Sequence, residues 1–297
     1  MKIKKIDQFI SRDGTIKNVY KTDKGIIELS MIRKPNYPER DVICCPSMYY
    51  CRLGCKFCHL TDSNCDVKMV NIEYEELHSC LSHFIIDHGF SNKNLLLSFM
   101  GVGEPTLNKS LLLDLENNWV NICNYDTCEI TLATMVPSLD RLKTISRSEL
   151  IGNKKIYISL HTPFTEERQS LIPGSKTTVE EICKELQNYN QKSNNSEHHK
   201  NKELAVFHYT LIENVNDTGR HLEEMIKISK QYKIPVKLLR FNDYCELKKS
   251  QNEKYKYWKD ALGKYTRTSI YDAPGSDIGS SCGQLTKKYY INTEEDK

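Results

Sequence analysis

The stretch Val42-Ile-Cys-Cys-Pro-Ser-Met-Tyr-Tyr-Cys51-Arg-Leu-Gly-Cys55-Lys-Phe-Cys58 runs from a short apolar tetrad into three cysteines spaced C-x3-C-x2-C. That spacing brings three thiolates onto one loop. Cubane iron–sulfur clusters are held by thiolates, and three protein ligands leave one iron for an exogenous chelator. Zinc also takes closely spaced cysteines, but a structural zinc site asks for four protein ligands and usually a second C-x2-C knuckle. No second knuckle follows here, and Cys65 is the residue that could close a tetrahedral zinc site.

The rest of the composition sets the compartment in which those cysteines are read. The chain has 297 residues, enough for one large α/β domain or two modest ones. Its 42 Lys plus Arg against 39 Asp plus Glu leave a formal charge of +3, so no strong polyanion signature exists and a nucleic-acid partner must be argued locally. The opening residues lack the apolar core of a signal peptide, and no stretch approaches the ~18 apolar residues of a membrane span. A soluble, cytoplasmic protein without membrane partners is the expectation. Twelve cysteines in a reducing compartment point to metal or catalysis rather than to a disulfide framework. Cys80, Cys128 and Cys183 sit in apolar periodic runs and read as core, while Cys65, Cys123 and Cys245 have no partner at ligand spacing.

Outward from the cysteine loop, β-rich runs alternate with helix-period segments. LLLSF (95–99), CEITLA (128–133), IYISL (156–160), LAVFHYTLI (204–212) and VKLLRF (236–241) read as strands. Tyr74 to His88, Thr178 to Tyr189 and Gly219 to Tyr232 space apolar residues three and four apart, as helices packed on a sheet do. The alternation predicts α/β architecture with a parallel sheet, and five or six such units suit a partial barrel. The polar segment 191–203 reads as a surface loop whose His198, His199 and Lys200 are a solvated run. Residues 1–41 read as a short β-rich or irregular extension, 42–245 as the partial barrel and 246–297 as a C-terminal segment.

Further segments carry a family resemblance. Met100-Gly-Val-Gly-Glu-Pro105 with Leu107-Asn108, Ile158-Ser-Leu-His-Thr-Pro163, Val215-Asn-Asp217, Phe241-Asn242 and Asp277-Ile-Gly-Ser-Ser-Cys-Gly-Gln-Leu285 follow the triad in order. Together with the aromatic before Cys58, they resemble the radical S-adenosylmethionine (SAM) branch of dual-specificity ribosomal RNA adenine methyltransferases, which methylate carbon 2 or carbon 8. Any one segment is weak; five in register behind the triad are specific.

The resemblance implies a partial (β/α)6 radical SAM barrel, a [4Fe–4S] cluster on Cys51, Cys55 and Cys58, and SAM chelating the open iron. Gly103 and Glu104 then meet the SAM ammonium at a strand end, where α/β ligands sit. Ser159 and His161 match positions on the ribose and carboxylate side of SAM, and Asn242 an adenine or ribose contact; alone, His161 reads as a core histidine. Cys282 matches the cysteine that one SAM methylates and that a radical from a second SAM converts to a methylene radical, which adds to the adenine carbon. Resolving that adduct needs a base and a second thiol. Cys44, seven residues before Cys51, matches the thiol that forms a transient disulfide with Cys282. Its neighbour Cys45 competes for the assignment, and adjacent strand residues point to opposite faces. Glu28, in Gly25-Ile-Ile-Glu28, resembles the family's general base. The implied partners are SAM, an RNA substrate (ribosomal or transfer RNA) and an electron donor such as flavodoxin or ferredoxin, with the enzyme a monomer.

Three departures accompany the match. The family carries a helical N-terminal domain, whereas only residues 1–25 precede the Glu28 strand, so a different substrate grip is expected. His59-Leu-Thr-Asp-Ser-Asn-Cys65 replaces the family's Gly-Phe-x-Arg-Asn type of stretch, and Ala133-Thr134-Met135 shortens a Ser/Thr-Ser-Gly turn. Lys2, Lys4, Lys5, Arg33, Lys34, Arg40, Lys248, Lys249, Lys287 and Lys288 offer local positive charge, with Tyr37, Tyr49, Tyr50, Tyr289 and Tyr290 read as stacking platforms for bases. The alternatives are the same chemistry on a free nucleotide or small aromatic substrate, or a non-catalytic zinc or iron–sulfur module that binds nucleic acid.

Overall fold

The computed structural model describes residues 2–32, 40–51, 53–61, 70–89, 94–118, 125–147, 155–194, 204–279, 285 and 289. Cys65, Cys123, Cys282, Arg33, Lys34, Tyr37, Lys287, Lys288, Tyr290 and the run His198–Lys200 lie outside the described residues. The chain forms two compact units. Met1–Arg52, His59–Leu132 and Ala273–Lys297 make the first, and Leu53–Cys58 with Ala133–Asp272 the second. These units group the chain by packing, whereas the segments 1–41, 42–245 and 246–297 group it by motif.

In the first unit, β1 (Lys4–Ile10), β2 (Ile16–Lys21) and β3 (Ile26–Met31) form an antiparallel meander. β4 (Arg40–Cys44) pairs antiparallel with β3 and parallel with β5 (Asn94–Phe99), which pairs parallel with β6 (Thr127–Thr134). The parallel pairs need crossover helices. α1 (Tyr74–His88) is one, and α2 (Lys109–Asn117) the other. α1 starts at a capping box in which Glu73 and Glu76 satisfy each other's backbone donors, and stops at Gly89, whose φ of 59° a Cβ would strain. Its Leu77, Cys80, Leu81 and Phe84 recur at helical spacing and are fully buried, each contributing on the order of 2 kcal/mol.

The second unit is an all-parallel run of β7 (Lys155–Ser159), β8 (Ala205–Leu211), β9 (Val236–Arg240) and β10 (Thr268–Tyr271). Its helices are α3 (Leu139–Arg147), α4 (Thr165–Leu171), α5 (Val179–Asn194), α6 (Gly219–Tyr232) and α7 (Asn252–Gly263). α5 runs to Asn194, past the start of the loop expected at 191–203, because Gln191 and Lys192 propagate a helix and no Gly or Pro stops it. Residues 195–203 of that loop lie outside the described residues.

Candidate active site

Strand register gathers the first unit's chemistry on one sheet face. Residues directly opposite on neighbouring strands share a face, and side chains alternate along each strand. Ser30 stands opposite Cys44, Cys44 opposite Ser98, and Ser98 opposite Thr131, so a polar row crosses β3 to β6. Thr131 Oγ1 donates to Ser98 Oγ at 3.1 Å. Glu28, two residues before Ser30, joins the same face, as does Lys17, which stands opposite Ser30. The base and the resolving thiol named from sequence therefore lie on one surface.

Glu28 is buried and ion-paired with Lys17, whose Nζ also donates to the Gly279 carbonyl at 3.2 Å. Gly279 closes a segment held by the β1–β2 turn. Ser11 Oγ and the Arg12 backbone N–H donate to Asp277 at 2.5 and 3.1 Å, and the Gly275 N–H donates to Asp13 at 2.8 Å. Asp13, collecting backbone and side-chain hydrogen bonds that outweigh its desolvation, holds its carboxyl down at about 2. The described part of this arm ends three residues before Cys282.

Cys44 and Cys45 part as strand alternation requires. Cys44 is half-buried on the polar face; Cys45 is sealed in the core, its Sγ 3.7 Å from the Ile43 carbonyl, and burial pushes its thiol well up. A thiol held protonated is a poor nucleophile. The backbone that follows is clamped by the 100–108 loop. A Cβ on Gly101 would sit 2.8 Å from the Cys45 carbonyl oxygen, and one on Gly103 (φ +109°) 2.5 Å from Ser47 Oγ. Glu104 is buried and accepts from Thr106 N and Oγ1 at 3.2 and 2.7 Å, capping a 3-10 turn, Pro105–Leu107. Asn108 Nδ2 donates to the carbonyls of Ser47 and Ile72 at 2.7 and 2.8 Å. Cys51 is half-buried. Tyr49 and Tyr50 correct the sequence reading: both are core residues and not stacking platforms. Thr22 Oγ1 donates to the Tyr49 hydroxyl at 3.0 Å, and the Tyr50 hydroxyl donates to the Leu60 carbonyl at 2.6 Å.

In the second unit, Cys55 is buried with Leu171 and Ile172, and Leu53, Phe57, Cys58 and Met135 pack around them. The loop is pinned by backbone hydrogen bonds from Lys56 N to Leu171 O and from Gly174 N to Leu53 O, at 3.0 and 2.9 Å. Phe57 meets the His161 ring edge-on at 4.7 Å. His161 is buried at a φ of 60°, and the Thr210 N–H donates to its Nδ1 at 3.1 Å. Burial first, and the Arg168 cation second, push its pKa down to about 3. The ring is therefore neutral with its proton on Nε2, because a proton on Nδ1 would face a donor.

Two residues that sequence reasoning gave no such role hold this strand end. Asn216 Nδ2 donates to the carbonyls of His161 and Thr210 at 2.6 and 2.8 Å, and its Oδ1 accepts from Ile212 N. Arg168, fully buried, donates to the carbonyls of Met135 and Ser159 and to Ser175 Oγ. Asn216 lies inside the Val215-Asn-Asp217 segment, which is its signal in the sequence; Arg168 has none. Ser159 is buried opposite His208, and Asn242 is half-buried just beyond β9.

Among the described residues no three His, Cys, Asp or Glu side chains stand where one metal ion would join them. A cubane gives each thiolate its own iron, so its ligands need not converge on a single point.

No family model matches the chain. Among solved structures, a radical SAM methyltransferase from Sphaerobacter thermophilus superposes with a TM-score of 0.79 at 21% identity, covering 95% of this chain and 80% of that one. The fold is that of a radical SAM methyltransferase, an α/β partial barrel. Curated relatives narrow the class. A probable dual-specificity RNA methyltransferase RlmN of Clostridioides difficile (strain 630) is 31% identical over 288 residues, covering 93% of this chain and 77% of the relative. One of Clostridium novyi (strain NT) is 29% identical over 296 residues, covering 97% and 80%. The chain belongs to the RlmN family of dual-specificity RNA methyltransferases.

Proposed function

We propose that this chain methylates an sp² carbon of adenine in RNA, ribosomal or transfer, through an S-methylated Cys282 and two molecules of SAM. The observation that carries the reading is the fastening of residues 275–279, the arm leading to Cys282, to the unit whose sheet face bears Glu28 and Cys44.

The residues present fit the cofactors. Cys51, Cys55 and Cys58 would hold three irons of a [4Fe–4S] cluster, and the apolar packing around Cys55 and Cys58 limits water at the sulfurs, as such clusters require. Gly103, pressed against Ser47 and Met48 where any Cβ would collide, leaves bare backbone beside the buried Glu104 carboxylate for the SAM ammonium. Ser159, Asn242 and the neutral His161, whose Nε2–H is a donor, suit the ribose, adenine and carboxylate side. When bound, cluster and SAM supply the electron, the radical and the methyl groups.

The chain's own residues do the rest. Cys282 carries the methyl carbon to the base and remains bonded to it after addition. Glu28 takes the proton from the adenine carbon. The adduct's odd electron would return to the cluster. Cys44, on the same face as Glu28, then attacks the Cys282 sulfur, and the sulfur–carbon bond breaks with its electron pair left on the methylene carbon. That carbon takes a proton to become the methyl group, and a thiol reductant reopens the Cys44–Cys282 disulfide. A flavodoxin- or ferredoxin-type donor feeds the cluster, and the enzyme works as a monomer in the cytoplasm. RNA reaches the site past Lys2, Lys4 and the β1 edge, which are exposed.

Anaerobically reconstituted protein with labelled SAM and total RNA tests this. Cys282 gains one methyl by mass spectrometry, and label appears on an adenine carbon. Replacing the three loop cysteines by alanine removes iron and 5′-deoxyadenosine formation. No methyl on Cys282 under any condition ends the reading, and label on nucleosides but not RNA moves the substrate to small molecules.

A further inference from the structure

Lys17 belongs to a residue type that is almost never fully buried unless paired, yet it is 1% exposed. Its ammonium has three donors to place. One goes to the Glu28 carboxylate, on the same face one strand away, and another to the carbonyl of Gly279 at 3.2 Å. Gly275 and Gly279 both adopt left-handed backbone, with φ of 66° and 60°, so the arm turns sharply on either side of Asp277. The contacts from Ser11, Arg12 and Asp13 fix the arm at residues 275 to 277. Lys17 fixes it two residues nearer Cys282, and does so with the group that also grips the base.

Keeping an ammonium out of water costs several kcal/mol, and a hydrophobic pair of similar volume would fill the same space at no loss. A purely structural demand would be met without the charge. We propose that Lys17 is a positioning residue, whose ammonium holds the Glu28 carboxylate in register with the arm that delivers Cys282. The inference rests on the roles given above to Glu28 and Cys282.

The test uses full-length enzyme reconstituted with cluster, SAM and RNA, comparing Lys17→Met, Lys17→Arg and Glu28→Gln. Three products are read separately: methyl on Cys282 by mass spectrometry, covalent protein–RNA adduct by denaturing gel, and methylated RNA. Lys17→Met keeps Cys282 methylation within about twofold, accumulates the adduct and loses RNA methylation by ~100-fold, in the range a displaced general base costs. Lys17→Arg, which keeps charge and donors, recovers at least about a tenth of the parent rate. If Lys17→Met methylates RNA within about threefold of the parent, or loses Cys282 methylation in parallel as a loosened fold would, the proposal is overturned. Glu28→Gln separates the two readings. Full activity in that variant removes the base itself, whereas loss there with an unaffected Lys17→Met removes Lys17 alone. Should Lys17→Met fail to fold by circular dichroism, Lys17→Gln takes its place with the same outcomes.

Discussion

The two units bury basic groups in opposite ways. In the first, Lys17 is ion-paired with Glu28, which lies against it on the same sheet face. In the second, His161 and His208 are buried with no carboxylate hydrogen-bonded to them among the described residues, and burial lowers both pKa values, His161 to about 3 with Arg168 adding, His208 well below its ordinary value with Lys237 adding. The choice follows the task. A lysine shut off from water is held by a counter-ion, whereas an imidazole that accepts from the Thr210 N–H does so uncharged.

The contrast breaks most visibly at Lys17. Lys17→Met strands a buried carboxylate and lowers the unfolding free energy by about 3–5 kcal/mol, while Lys17→Met with Glu28→Met returns most of it. Urea melts of both decide this, and a single-variant loss below about 1 kcal/mol would mean that the pair is solvated. The second unit answers to acid instead. Folded His161 titrates near 3 and an unfolded histidine near its ordinary 6.5, so the unfolded chain takes up the proton first. Stability is full above pH 6.5 and falls as pH drops toward 3. His161 alone costs roughly 1–1.5 kcal/mol between pH 7.5 and 5.5, and His208 adds in the same direction. His161→Asn, which tolerates the left-handed backbone, flattens that slope in melts across pH. The smallest effect separates the adjacent thiols. Cys45→Ala costs about 1 kcal/mol and leaves RNA methylation intact, whereas Cys44→Ala leaves stability within about 0.5 kcal/mol and stalls turnover at the adduct.

How much of this was legible in the sequence depended on whether the deciding contact was local. Tyr74 to His88 and Gly219 to Tyr232 were readable to the residue, because the apolar spacing that decides each helix lies within the segment. The parallel strands β5 to β9 were readable from their apolar runs, whereas Thr268-Ser-Ile-Tyr271 of β10 is too short and polar to stand out. The meander was hidden, since Lys-Lys-Ile-Asp-Gln-Phe-Ile of β1 lacks clean alternation and takes its register from β2. Lys17 reads as a solvated lysine until Glu28 and Gly279 are brought over it by pairing from β3 and by an arm far along the chain. Tyr49 and Tyr50 misled for the same reason, their hydroxyl partners Thr22 and Leu60 being distant or across a turn. Cys44 against Cys45 was legible in outline: alternation says that one is turned away, the spacing to Cys51 matches Cys44, and burial of Cys45 agrees.

The first unit is assembled from three separated stretches of chain, and the last of them is Ala273–Lys297. During synthesis the second unit's 133–272 emerges whole before the arm that seats on Ser11, Asp13 and Lys17 has left the ribosome. The hairpin of β1 and β2 must therefore wait, with its acidic and cationic seats open, until residues 273–279 have emerged. Seating of residues 275–279 is thus a late event of folding, and a copy interrupted before residue 273 would hold a finished second unit while the seats of its first stood empty.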